Sequence, residues 1–234
     1  MAAERTTAHG PAPDPASTAA QGERWWPVVT AVAVVAGLYA ALPARYHHLP
    51  VWVVPAVLIG LSALLVLGDP GRIDRQKTWL RIVTGSLIAV ITVANLAAAI
   101  QLVLDILHHN SVYAKAAGAL LAKGGVIWAT NVVAFALWYW HLDRGGAAVR
   151  AHHPQQNPAF VFPEMQHTEY VPTIWVPRFL DYLSLAFWTA TAFSPADVSP
   201  IKPWAKLLMM VEAAASLGLG VLVVARAINV LPSS

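Results

Sequence analysis

From Ile82 to Leu104 the chain contains no charged residue. A run of that length exceeds what a membrane strand needs and matches the roughly 20 residues with which an α-helix crosses a bilayer. Hydrocarbon offers the backbone no water to bond, so such a segment must close its hydrogen bonds internally, as a helix does. Similar apolar blocks recur along the sequence. They are continuous rather than striped, which distinguishes a lipid-solvated segment from a helix with one wet face. The share of charged residues, 12% against 57% hydrophobic ones, is about half that of an ordinary soluble domain. The fold class is therefore an all-α, polytopic transmembrane bundle. The bilayer is its expected surroundings, and no nucleic-acid partner is expected.

Six segments qualify as spans: 25–43, 51–68, 82–105, 117–140, 177–195 and 204–230. The fifth carries Arg178, Asp181, Ser184, Thr189, Thr191 and Ser194, so five spans plus a re-entrant helix is the alternative. With six spans, ten basic residues (Arg5, Arg24, Arg72, Arg75, Lys77, Arg81, Arg144, Arg150, Arg178, Arg226) share the side of the N-terminus, against four opposite (Arg45, Lys115, Lys202, Lys206). With five spans the division is eleven against three. Either puts the N-terminus in the cytoplasm, because basic residues are retained on that side. The charge pattern leaves five and six open.

Most tryptophans lie near predicted span ends, where an indole buries its ring and keeps its N–H among headgroups. Trp128 and Trp188 fall inside spans, where core packing is the simplest role. Residues 1–24, rich in Ala, Pro, Thr and Gly, read as a disordered cytoplasmic tail and not as a signal peptide. Residues 25–234 form a single bundle. The stretch 141–176, with Pro154, Pro158, Pro163 and Pro172, reads as an extended cytoplasmic loop.

No catalytic constellation emerges. The chain has no cysteine, and it lacks a zinc-protease helix motif, a serine-hydrolase elbow and a phosphate loop. The adjacent pairs His47/His48, His108/His109 and His152/His153 diverge by about 100° on a helix, so they chelate poorly. The expectation is no enzyme activity, no metal and no cofactor.

Attention then falls on ionisable groups within the spans, each of which costs several kcal/mol in hydrocarbon unless paired or wetted. Glu212 lies eight residues past Trp204 and Lys123 about two turns into the fourth span, at comparable predicted depth, so an intramembrane Lys123–Glu212 pair is expected. Asn95, Gln101, Asn131 and Asn229 are candidate interhelical hydrogen-bond partners. Thr189, Thr191, Ser194 and Asp197 cluster before the last span and, with Glu212, suggest a polar path. The small-xxx-small pairs Ala214/Gly218 and Ser216/Gly220 suggest a close helix contact, which leaves a homo-oligomer open.

The sequences FALWYWHLDRGG (Phe135–Gly146), FPEM (Phe162–Met165) and Phe179–Leu231 resemble a family of bacterial multi-pass inner-membrane proteins of unknown function. That resemblance implies a bacterial inner-membrane location and a helical fold. The last of these segments is also similar to the pore module of two-helix potassium channels. A Thr-rich helix end there leads into a filter, an acidic residue, a proline and a long helix, matched here by Thr189, Thr191, Asp197, Pro200 and Glu212. Ala192-Phe193-Ser194-Pro195-Ala196 stands in place of the glycine-rich filter, and a proline fixes φ where such a filter needs freedom. The functional expectation is a small channel-like or transport protein with a polar path near the turn between segments five and six. The alternative is a structural or partner-binding membrane subunit without transport activity.

Overall fold

The computed structural model describes residues 23–43, 50–68, 73, 77–108, 117–153, 157–166, 175–191 and 197–230. The described residues are mostly helical: α1 (Trp26–Ala41), α2 (Val53–Gly68), α3 (Thr78–His108), α4 (Ala117–Leu142), α5 (Ala147–His152), α6 (Phe179–Thr191) and α7 (Pro203–Asn229). Two short strands, β1 (Phe160–Val161) and β2 (Ser199–Pro200), pair antiparallel. Three helices are long and apolar enough to cross a membrane: α3, α4 and α7. The helices α1 and α2 are shorter and also apolar.

Local chemistry sets the boundaries. A proline in the first turn opens α1 and α7, where its missing N–H leaves no bond unmade. At the end of α4, Arg144, Gly145 and Gly146 take φ of 51°, 83° and 105°. This left-handed region stops a helix and suits glycine. The first turn of α6 is closed by the Asp181 carboxylate, whose Oδ2 accepts the Arg178 N–H at 2.7 Å.

The long helix α4 is central, packed against α1, α3, α6 and α7, while α2 fills the side between α1 and α3. The bundle has two distinguishable ends. At the near end lie Trp25, Trp140, Phe160, Phe179 and Ala205, all in the larger apolar core. At the far end a smaller core joins Leu42, Leu102, Ile106, Leu120, Val223 and Ala227. Close packing between α4 and α7 occurs at Gly124, where a Cβ would fall 2.7 Å from Val223 Cγ1.

The course of α6 differs from the other long helices. Phe179 meets Trp140 edge-on at 6.3 Å at the near end, and Phe187 meets Trp128 at 5.9 Å, twelve residues back along α4. The helix thus descends into the bundle antiparallel to α4. Its 13 residues rise about 20 Å, short of the roughly 30 Å of hydrocarbon. Beyond it, Pro200 and Ser199 pair with Phe160 and Val161, and the Ile201 N–H donates to the Ala159 carbonyl at 2.8 Å. Both flanks of α6 therefore lie at the near end, and α7 starts from that same end.

Three expectations are corrected. The stretch 141–176 is not simply extended, because α5, β1 and a 3-10 turn at Pro163–Met165 fold within it. The tail does not reach residue 24 unanchored, since Glu23 is built into the bundle; residues 1–22 lie outside the described residues. Trp188 is 47% exposed and serves no core, whereas Trp128 packs on Phe187.

Candidate functional site

Two polar clusters interrupt the apolar interior. The first closes the near end. Asp143, fully buried, accepts the Ala159 N–H on Oδ1 at 2.7 Å and the Tyr182 hydroxyl on Oδ2 at 2.6 Å. The Arg144 Nε lies 3.6 Å from the same Oδ2. Arg150, 1% exposed, donates through Nη1 to the carbonyls of Trp140 and Asp143 at 2.6 and 3.0 Å. Its guanidinium stacks over the Tyr182 ring at 5.0 Å. A helix end leaves carbonyls unsatisfied, and Arg150 caps that of Trp140 in the last turn of α4, together with the Asp143 carbonyl just beyond it, with the charge sign that the helix dipole favours.

Glu23 completes this clasp. Its Oε2 accepts the Trp140 indole N–H at 2.8 Å, its Oε1 accepts the Phe179 N–H at 2.6 Å, and its own carbonyl receives the Ile73 N–H at 2.8 Å. One residue thus ties the chain before α1 to α4, to the first turn of α6 and to the segment before α3. Burial pushes the Glu23 carboxyl above its usual range, against the lowering pull of the Phe179 and Trp140 bonds and of Arg150 and Arg178.

The second cluster lies deeper, between α3, α4 and α7. Glu212 is fully buried, and its Oε2 accepts the Tyr139 hydroxyl. Its Oε1 has no hydrogen-bond partner among the described residues. One turn further along α7, Ser216 Oγ accepts from Asn131 Nδ2 at 3.0 Å, and Asn131 Oδ1 accepts from Asn95 Nδ2 at 3.4 Å. Beside this ladder, the Trp138 indole donates to Thr92 Oγ1 at 2.9 Å. Asn95 and Thr130 in turn line a narrow cleft with Tyr39 and Leu58, on the side of α1 and α2.

The ladder faces two different surroundings along its length. Toward the far half it leads to that cleft. Toward the near end, Tyr139 meets Phe160 at 5.0 Å, and Phe160 meets Tyr182 and Trp204 at 6.3 and 6.0 Å, all edge-on. Phe160 has no exposure, so aromatic edges seal Glu212 from the near end.

Only part of the set anticipated from sequence is brought together. Thr189 and Thr191 bond back to the carbonyls of Leu185 and Trp188 in their own helix. Asp197 is exposed at the near end, and Ser194 lies outside the described residues, as do His47, His48 and His109. The expected Lys123–Glu212 pair is not formed. Gly124, next to Lys123, packs on Val223, eleven residues and about 16 Å along α7 from Glu212. Both helices are antiparallel, so Lys123 belongs to the far half. Ser216 is buried in the α4–α7 contact, but Ala214 and Gly218 are exposed, and neither Gly218 nor Gly220 has an atom within 4 Å of a would-be Cβ. The close contact instead uses Gly124.

Sequence reasoning did not single out Tyr139, Asp143, Arg150, Tyr182 or Glu23. The signal for Asp143 was present in the Asp-Arg-Gly-Gly that ends α4. Tyr139 and Tyr182 carried none, because a tyrosine near a span end resembles an interfacial anchor.

Long apolar helices around buried hydrogen-bonded polar groups define a helical membrane protein. Compared with protein-family models, curated proteins and solved structures, the chain matches none.

Proposed function

We propose that this chain is a small ion-transport protein of the bacterial plasma membrane, with five spans, α6 as a re-entrant helix and a cytoplasmic N-terminus. The observation that carries the transport reading is Glu212, a carboxyl with no exposure, about 12 Å below Trp204 along α7, held by a neutral hydroxyl instead of a cation. An ionisable side chain at such depth is expensive and marks a pathway by default. The hydrogen-bonded ladder from Glu212 toward Asn95 supplies the polar surroundings such a path requires, and the polar path is thereby moved from the turn near Asp197 to the α3–α4–α7 interior.

Five spans are supported by the shared near-end position of both α6 flanks. Counted along the sequence on five spans, eleven basic residues fall on the side of the N-terminus against three opposite, which favours a cytoplasmic N-terminus. A helix that enters, returns and leads into a long helix follows the course of the channel pore module that Phe179–Leu231 resembles, but inverted, since that module's pore helix enters from outside and α6 enters here from the cytoplasmic side. The bacterial location rests on resemblance, and the reading assigns no catalysis and no cofactor.

A second reading draws on one specific observation. The exposed Ala214 and Gly218 leave open space on α7, and small residues let a second helix approach. A partner-binding subunit or homo-oligomer would use that face.

Reconstitution into liposomes separates the two. The expected result is a flux of small ions that Glu212→Gln lowers at least tenfold and that Asp197→Asn leaves within a factor of two. Monodisperse, correctly inserted protein that passes no small ion overturns the transport reading and leaves the partner-binding one.

A further inference from the structure

Which ion the Glu212 site suits can be judged from the atoms around it. A dehydrated metal cation needs on the order of six oxygen ligands. The described oxygen that meets Glu212 is the Tyr139 hydroxyl, and it donates its hydrogen to Oε2. Its lone pairs therefore point away from the carboxyl, and a cation approaching Oε2 would face the positive end of an O–H dipole. The hydroxyl of Ser216, one turn away, is already engaged by Asn131. Aromatic rings flank Tyr139, with Phe135 tilted at 6.2 Å and Phe160 edge-on at 5.0 Å. Such walls give no coordination shell to a bare metal cation.

The same arrangement fits a proton. Oε2 is occupied as an acceptor whichever charge state Glu212 holds, so the Tyr139 bond fixes the carboxyl in one orientation through both. Oε1, buried and unbonded among the described residues, is then the seat at which a proton is gained and lost. On loading, an O–H bond of a hydronium breaks, a carboxylic O–H forms at Oε1, and a neutral water leaves. Unloading reverses this. Nothing else needs to move in or out of the site.

We infer that the species carried at Glu212 is the proton, taken up at Oε1 while Tyr139 holds Oε2, with the Ser216–Asn131–Asn95 ladder as its polar approach from the far half. The inference rests on the transport reading and names its substrate.

The test uses the full chain in liposomes with a pH-sensitive dye inside and a potassium diffusion potential imposed by valinomycin. Uptake of sodium and rubidium is measured in parallel on the same protein in vesicles without valinomycin, which would itself carry rubidium. The expected result is a dye response in the wild type, lost at least tenfold in Glu212→Gln and partly kept in Glu212→Asp, which retains a carboxyl. Sodium and rubidium uptake stays at the level of empty liposomes. Tyr139→Phe, which frees Oε2 without removing the carboxyl, is expected to lower the proton rate severalfold and to shift its pH profile.

Alkali-cation uptake that depends on Glu212 overturns the proton assignment and leaves the transport reading standing. A proton response unchanged in Glu212→Gln also overturns it, since the proton would then travel elsewhere. If Glu212→Gln proves unstable, Glu212→Asp and Tyr139→Phe still decide, because a purely structural role for Glu212 leaves the pH profile unmoved in both. No flux of any ion removes both the inference and the reading beneath it.

Discussion

Replacing Asp143 with asparagine keeps the shape of the near-end hub and removes only its charge and one acceptor. The carboxylate now satisfies two buried donors, Ala159 N–H and Tyr182 O–H, and balances Arg144. Asparagine has one oxygen for those two donors, and its amide N–H₂ must face the other. A hydrogen bond to a charged group is worth about 1.5 to 3 kcal/mol, and breaking a buried ion pair from one side costs about 3 to 5 kcal/mol. The two terms overlap, because the same carboxylate provides both, so the expected loss is about 4 kcal/mol. For a chain of this size about 3 °C is lost per kcal/mol, which gives a fall of roughly 12 °C in thermal midpoint. The assay is thermal unfolding of purified protein in one detergent, followed by tryptophan fluorescence, with Tyr182→Phe and the double variant measured alongside. Tyr182→Phe alone removes a single donor and is expected to cost about 1 to 2 kcal/mol, and the two substitutions should be less than additive because they share a bond. An Asp143→Asn midpoint within about 2 °C of wild type would refute the reasoning, since it would mean that the hub is wet or unformed.

Three other perturbations probe separate parts of the fold. Burial raises the Glu23 carboxyl above its unfolded value of 4.5, so the folded state holds that proton to higher pH than the unfolded chain does. The stabilising contribution is complete below 4.5 and is lost as pH rises through the raised folded value. Midpoints measured across that range should decline more in wild type than in Glu23→Gln, and parallel curves would contradict the assignment. Gly124→Ala places a methyl against Val223 and should cost about 1 to 3 kcal/mol by overpacking, recovered in part by Val223→Ala, whereas Gly218→Ala should change stability by less than about 0.5 kcal/mol; equal midpoints for the two glycine variants would sink the α4–α7 contact. Because the chain has no cysteine, Asn157→Cys, Asp197→Cys and Val230→Cys can be labelled singly in sealed vesicles with an impermeant reagent. The first two should react from the same side and the third from the other, and reaction of 157 and 197 from opposite sides would restore six spans.

The sequence by itself determined the solvent and most of the helices. A charge-free run such as Ile82–Leu104 has one physical outcome in lipid, because the backbone must bond internally and only a helix does so within one segment. The composition of the spans also marked Glu212 as anomalous and made Asn95 and Asn131 candidate interhelical partners, since a polar side chain in a span is conspicuous whatever surrounds it. Only the tertiary structure decided who meets whom. Lys123 and Glu212 share a depth only if the fifth segment crosses. Once α6 turns back, α7 starts at the end where α4 finishes, and the two charges fall in opposite halves. Tyr139, Tyr182 and Glu23 gained their roles the same way, for the strength of a hydrogen bond depends on where a distant donor is held. Hydropathy is a property of each segment and can be read along the chain. Pairing is a property of two segments at once, as the pairing of Val161 with Ser199, 38 positions along the chain, illustrates at the near end.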